Sequence, residues 1–141
     1  FVHAGLSARL LERDLEMDTL NARMSEGLYR TSKERREDPT LEFLYRSAGP
    51  VWYRGMVCAD EKYDPLTPEQ TDALLRRYDA DRLLVGHTVF PDISTFHDGR
   101  VIAVNVQNEL NRRKNRGRAV LIEGSRISVV GNRGVKRVLE E

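Results

Sequence analysis

Two histidines and one arginine in an aromatic setting are the residues of this chain whose types and spacing could do chemistry. His3 and His87 occupy matching local settings. Each follows an apolar run and borders small residues, in Val2-His3-Ala4-Gly5 and Val85-Gly86-His87-Thr88. A strand end that opens into a glycine loop is where α/β proteins place reacting groups, because the sheet fixes the backbone and the loop meets solvent. Imidazole nitrogen is a common ligand for zinc, iron or manganese. A catalytic metal usually needs three or more protein ligands. Spacing alone therefore leaves two readings open: a shared metal, or two loop histidines hydrogen-bonded to backbone. Arg54, in Trp52-Tyr53-Arg54-Gly55, reads by itself as a surface arginine stacked on Trp52 or Tyr53. The third histidine, His97, precedes an Asp98-Gly99 turn and reads as a hairpin residue. Cys58 has no paired histidine or helix start to activate it and reads as a loop or packing residue.

The elements that must position these residues can be read from pattern and punctuation. Phe1-Val2 reads as the end of a buried strand, with Ser7 able to cap a helix after it. Leu11 and Leu15, then Leu20, Met24 and Leu28, recur at fourfold spacing and predict helix from about 8 to 30, with Asp14 and Asp18 suiting a break into two. Residues 31–39 read as helix end plus polar loop, and Leu41 to Tyr45 as a short helix broken by Gly49-Pro50. Tyr29, Tyr45 and Tyr63 read as packing residues. Thr67-Pro68-Glu69-Gln70 is a strong helix start, with a capping box and a proline at the first helical position. Leu83-Leu84-Val85 predicts a buried strand. Residues 93–97 and 100–106 predict two more, joined by an Asp98-Gly99 hairpin. Residues 108–117 read as a basic, solvated excursion, and 118–123 with 126–130 as a last strand pair. The result is an α/β chain, helices first and then a mainly antiparallel or mixed sheet.

Bulk composition excludes several classes. A hydrophobic fraction of 40% and a charged fraction of 32% suit one soluble domain over all 141 residues. A net charge of +1 provides no global field toward nucleic acid or membrane. The cluster Arg112-Arg113-Lys114-Asn115-Arg116-Gly117-Arg118 has no interleaved aromatics for base stacking, so nucleic acid is not an expected partner. No apolar run approaches the roughly 20 residues of a membrane span. One cysteine permits no internal disulfide, and a reducing, cytoplasmic setting is the simpler expectation. An opening Phe1-Val2 that already reads as strand end suggests a piece of something longer.

Three segments, in order, carry a resemblance. Phe1-Val2-His3-Ala4-Gly5-Leu6-Ser7, Gly49-Pro50-Val51-Trp52-Tyr53-Arg54-Gly55 and Leu84-Val85-Gly86-His87-Thr88 resemble motifs of calcineurin-like metallophosphoesterases of the phosphoprotein-phosphatase type, in their bacterial, Shewanella-like branch. The resemblance implies the C-terminal half of a four-layer α/β/β/α sandwich. It implies that His3 and His87 bind one of two divalent metals (Mn, Fe or Zn). It implies that Arg54 grips a phosphate with its guanidinium fork, and that a metal-bridging hydroxide attacks phosphorus in line. The implied partner is a phosphorylated substrate, a phosphoprotein or a small phosphate ester. Ala4 and Asn105 depart from the family pattern, and the family's GDxHG, GDxxDRG and GNHE motifs are absent. Little activity is therefore expected of this chain alone. The alternative is a binding or regulatory module with a degenerate phosphatase site.

Overall fold

The computed structural model describes residues 1–140. Side-chain caps set three of its helix starts. Thr31 and Glu34 form a reciprocal capping box, with Glu34 N–H donating to Thr31 Oγ1 at 3.3 Å and Thr31 N–H donating to Glu34 Oε2 at 2.7 Å. Asp38 Oδ1 accepts from Thr40 N–H and Leu41 N–H at 2.9 and 3.1 Å, and Pro39 fills the first helical position. Thr67 and Gln70 repeat the capping box ahead of Pro68. These caps satisfy N–H groups that have no partner inside a helix. The helices are α1 (Met17–Leu28), α2 (Ser32–Glu37), α3 (Pro39–Tyr45), α4 (Pro68–Arg77) and α5 (Asn108–Arg113).

The helix expected over 8–30 is a single 3-10 turn at Ala8–Leu10 followed by α1. Leu10, Leu15 and Leu20 are the buried leucines there, five apart, while Leu11 and Leu28 face solvent. The fourfold spacing was thus not a buried stripe. The Ser7 side chain makes no capping hydrogen bond; its hydroxyl donates to the Ala48 carbonyl at 2.7 Å. Helices α2 and α5 fall where polar loop was expected.

The strands β1 (Leu83–Val85), β2 (Ser94–Phe96) and β3 (Val101–Ala103) form one sheet in the order β1-β3-β2. β1 runs parallel and β2 antiparallel to β3. The strands β4 (Ala119–Glu123), β5 (Arg126–Gly131) and β6 (Gly134–Glu140) form a separate antiparallel meander. A third strand thus extends the expected last pair.

Alternation along β1 and β3 divides the interior in two. Leu83, Val85, Val101 and Ala103 join the helical core with Leu10, Leu44 and Leu74. Leu84 and Ile102 face the other way and pack with Ile127 and Val129 of β5. The first sheet is therefore covered by helices on one face and by the second sheet on the other. This is a mixed α/β arrangement, but the four-layer sandwich is not what the described residues show. The basic run also differs from a solvated loop. Arg116 bonds Asn111, and Arg118, only 12% exposed, pairs with Asp92 at 2.9 Å. No helix among the described residues is long and apolar enough to cross a membrane.

Candidate functional site

The site is built at one end of the first sheet. Val2 pairs in parallel with Val85 as an isolated bridge, its N–H donating to Leu84 O at 3.0 Å, and Gly86 N–H donates to His3 O at 2.9 Å. Parallel neighbours end at the same edge, so His3 and His87 emerge side by side. Gly86 has a specific reason to be glycine, because a Cβ there would press on the His3 carbonyl oxygen at 3.1 Å. His87 itself has a left-handed backbone, with φ at 57°. Histidine is one of the non-glycine residues that tolerate it, and it turns the chain sharply after Gly86.

The third member comes from the turn after α3. Ala4 N–H donates to Pro50 O at 2.9 Å, and Tyr53 N–H donates to Gly49 O at 3.0 Å. Tyr53 and Met56 are buried in the helical core, and Tyr53 O–H donates to Asp64 O at 2.5 Å. Burial pushes the Tyr53 hydroxyl well above the usual phenol range, so it stays a neutral donor. These anchors hold the segment from which Arg54 reaches His87, Nη2 to Nε2 at 3.0 Å.

The proton positions follow from donor chemistry. A guanidinium has only donors, so His87 Nε2 must accept from Arg54. The neutral ring then carries its proton on Nδ1, which donates to His3 Nε2 at 3.1 Å. His3 Nε2 is an acceptor in turn. Burial, then the positive charge of Arg54, then His3, push the His87 imidazole below its ordinary value, which keeps it neutral at pH 7. Trp52 sets its indole edge-on to His87, centroids 5.3 Å apart at 84°. The Arg54 guanidinium also stands over the Tyr63 ring at 5.6 Å. Next to His87, Thr88 Oγ1 is buried and has no hydrogen-bond partner among the described residues.

The structure thus brings His3, Arg54 and His87 together. His97 stands apart from them. Its Nε2 lies 3.0 Å from Met56 O and its Nδ1 3.2 Å from Thr71 Oγ1, so it ties α4 to the Arg54 turn. Arg54 is not stacked on Trp52 or Tyr53. Trp52 and Tyr63 are site residues that reading the sequence for chemistry missed. Trp52 was signalled only by its place two residues before Arg54, and Tyr63 by nothing local.

The expected pair of divalent metals is corrected here. Among the described residues no group of three or more His, Cys, Asp or Glu could hold a metal ion. The third group at the two histidines is a cation, Arg54, and the lone pairs of His87 Nε2 and His3 Nε2 both accept hydrogen bonds. An arginine repels a metal where a carboxylate would attract one.

No protein-family model and no curated protein matches the sequence. Solved structures do match. A cold-active protein tyrosine phosphatase aligns with a TM-score of 0.82 at 26% identity, over 96% of this chain and 38% of its own. The cold-active protein-tyrosine phosphatase of a psychrophilic Shewanella species aligns with a TM-score of 0.83 at 26% identity, over 97% of this chain and 39% of its own. The chain therefore spans well under half the length of the structures it matches. The assignment to calcineurin-like metallophosphoesterases, and with it the metallophosphatase class, gives way to this finding: the structures this chain is similar to are named protein tyrosine phosphatases.

Proposed function

We propose that this chain provides the phosphate-gripping part of a phosphatase, a hydrolase of phosphoric esters on phosphorylated protein. The observation that carries the reading is the Arg54–His87–His3 hydrogen-bonded chain at the sheet edge. The likeness to protein tyrosine phosphatases supports it. Arg54 spends one of its five N–H donors on His87 and keeps the rest of its fork for oxygen. A phosphate taking that fork in bidentate fashion gains charge-assisted bonds and planar alignment. His87 is a positioning residue here. It fixes the guanidinium and is itself fixed by His3. Thr88 Oγ1 is a further polar group at the same turn. A half-buried Cys58 as the one cysteine fits a reducing, cytoplasmic setting.

Trp52 is the chain's only tryptophan and touches His87, so its fluorescence reports on the site. Inorganic phosphate is expected to change that emission with saturation. Arg54→Ala should weaken phosphate binding by about 10- to 100-fold, the range for a charge-assisted hydrogen bond. Arg54→Lys should recover little of it, because a point charge cannot copy the fork. Unchanged affinity in Arg54→Ala would sink the reading. Little turnover of p-nitrophenyl phosphate is expected from this chain, given the 38% of the matched structure that it spans.

A further inference from the structure

Beside Arg54 lies an open groove of about 680 Å³. Its lining includes four cations, Arg9, Arg46, Arg54 and Lys62, and one acidic residue, Asp64. Trp52, half exposed, and Tyr63 provide ring faces along it. Arg46 is paired with Glu42 at 3.1 Å and Lys62 with Asp60 at 2.8 Å, all four side chains being well exposed. Such exposed pairs hold their charges weakly and exchange partners readily. Arg9 is exposed, and no ion pair is seen for it among the described residues. Against a whole-chain charge of +1, the groove's lining carries three more cations than acidic side chains.

We propose that the groove seats a phosphorylated peptide whose phosphorylated residue is flanked by acidic side chains. Arg54 takes the phosphate, and Arg9 and Arg46, on the same groove lining, take a neighbouring carboxylate. Resting on the proposed phosphatase reading, this names its substrate class. Charge complementarity selects the occupant, because bringing a carboxylate to Arg9 and Arg46 gains attraction that a neutral flank lacks. The aromatic faces suit the ring of an aromatic phosphoester.

The test uses the 141-residue chain and three fluorescently labelled peptides, with binding followed by anisotropy. One carries phosphotyrosine between glutamates, one carries it between alanines, and one is the glutamate peptide without phosphate. At low salt the acidic phosphopeptide should bind about tenfold tighter than the alanine one, as two exposed charge contacts allow. The double variant Arg9→Ala/Arg46→Ala should bring that ratio close to one. Arg112→Ala, the same kind of charge loss on α5 outside the groove, should keep it. About 0.5 M salt should shrink the ratio by screening. A ratio near one in the unaltered chain, or a ratio that survives the double variant, overturns the proposal. So does a single-stranded oligonucleotide that binds as tightly as the acidic phosphopeptide. These failures are distinct from failure of the phosphate site itself, which would appear as no loss of binding for either phosphopeptide in Arg54→Ala.

Discussion

At the scale of single residues, the site depends on which atoms hold protons. Arg54 can only donate, so one contact at 3.0 Å settles the tautomer of His87, and through it the acceptor role of His3 Nε2. Burial and the neighbouring guanidinium hold the His87 imidazole below the ordinary 6.5. Its folded value being lower than its unfolded one, the unfolded chain binds a proton first as the solution is acidified. The stability that His87 contributes is complete above about pH 6.5 and is lost as pH falls through its folded value. Imidazole NMR should show its midpoint below 6.5, and Arg54→Met should move that midpoint upward by removing a nearby positive charge. Finding no upward movement would mean that the guanidinium does not act on the ring. His87→Asn, which tolerates the left-handed backbone and does not titrate, should flatten the loss of stability below about pH 6.5 in denaturant titrations.

At the scale of elements, the turn that carries Arg54 is set by close approach. A Cβ at Gly49 would collide with the Leu44 carbonyl, a backbone atom that cannot swing away. Gly49→Ala should therefore cost about 1–3 kcal/mol and also weaken phosphate binding, because the displaced segment holds Arg54. Thr31→Ala should cost about 1 kcal/mol by deleting the α2 cap while leaving phosphate binding alone. Denaturation curves read alongside Trp52 titrations would separate the two effects. Gly49→Ala with unaltered binding would show that the turn is not what positions Arg54. The contrast between these caps and the turn also explains how much was legible in the sequence. The start of α4 was readable because Thr67, Pro68 and Gln70 act on their own backbone. The α2 start had the same chemistry in Thr31 and Glu34, but its charged run of Lys33 to Glu37 lacks the apolar periodicity that flags a helix. β6 was missed because no apolar alternation marks residues 134–140 strongly. His3, Arg54 and His87 were each visible as candidates. That Arg54, and not a carboxylate, would complete the pair was invisible, because 51 and 33 residues of chain separate it from His3 and His87 and only the tertiary fold closes that distance. The groove was hidden for the same reason, since Arg9, Arg46 and Lys62 come from three well-separated stretches of chain.

At the scale of the molecule, β3 is the wall between two interiors, and neighbouring residues on it report on different halves. Val101 is fully buried among the helices, in the same core as Tyr53 and Met56 of the Arg54 turn. Ile102 is 1% exposed on the opposite face, against Ile127 and Val129 of the second sheet. Truncating either leaves a cavity that close-packed surroundings fill only in part. Ile102→Ala should cost about 2–5 kcal/mol, a large share of the roughly 5–15 kcal/mol that holds an ordinary domain together. Val101→Ala removes less volume and should cost less, but its cavity lies on the side of the site. Local opening tracks the elements that lose packing, so hydrogen exchange resolved by segment distinguishes the two. Ile102→Ala should speed exchange mainly in β4 and β5, with little change around residues 49–57. Val101→Ala should speed exchange around 49–57 and weaken the Trp52 response to phosphate. If both variants loosened both halves equally, the two cores would behave as one cooperative body, and the site would draw its rigidity from the second sheet as much as from the helices.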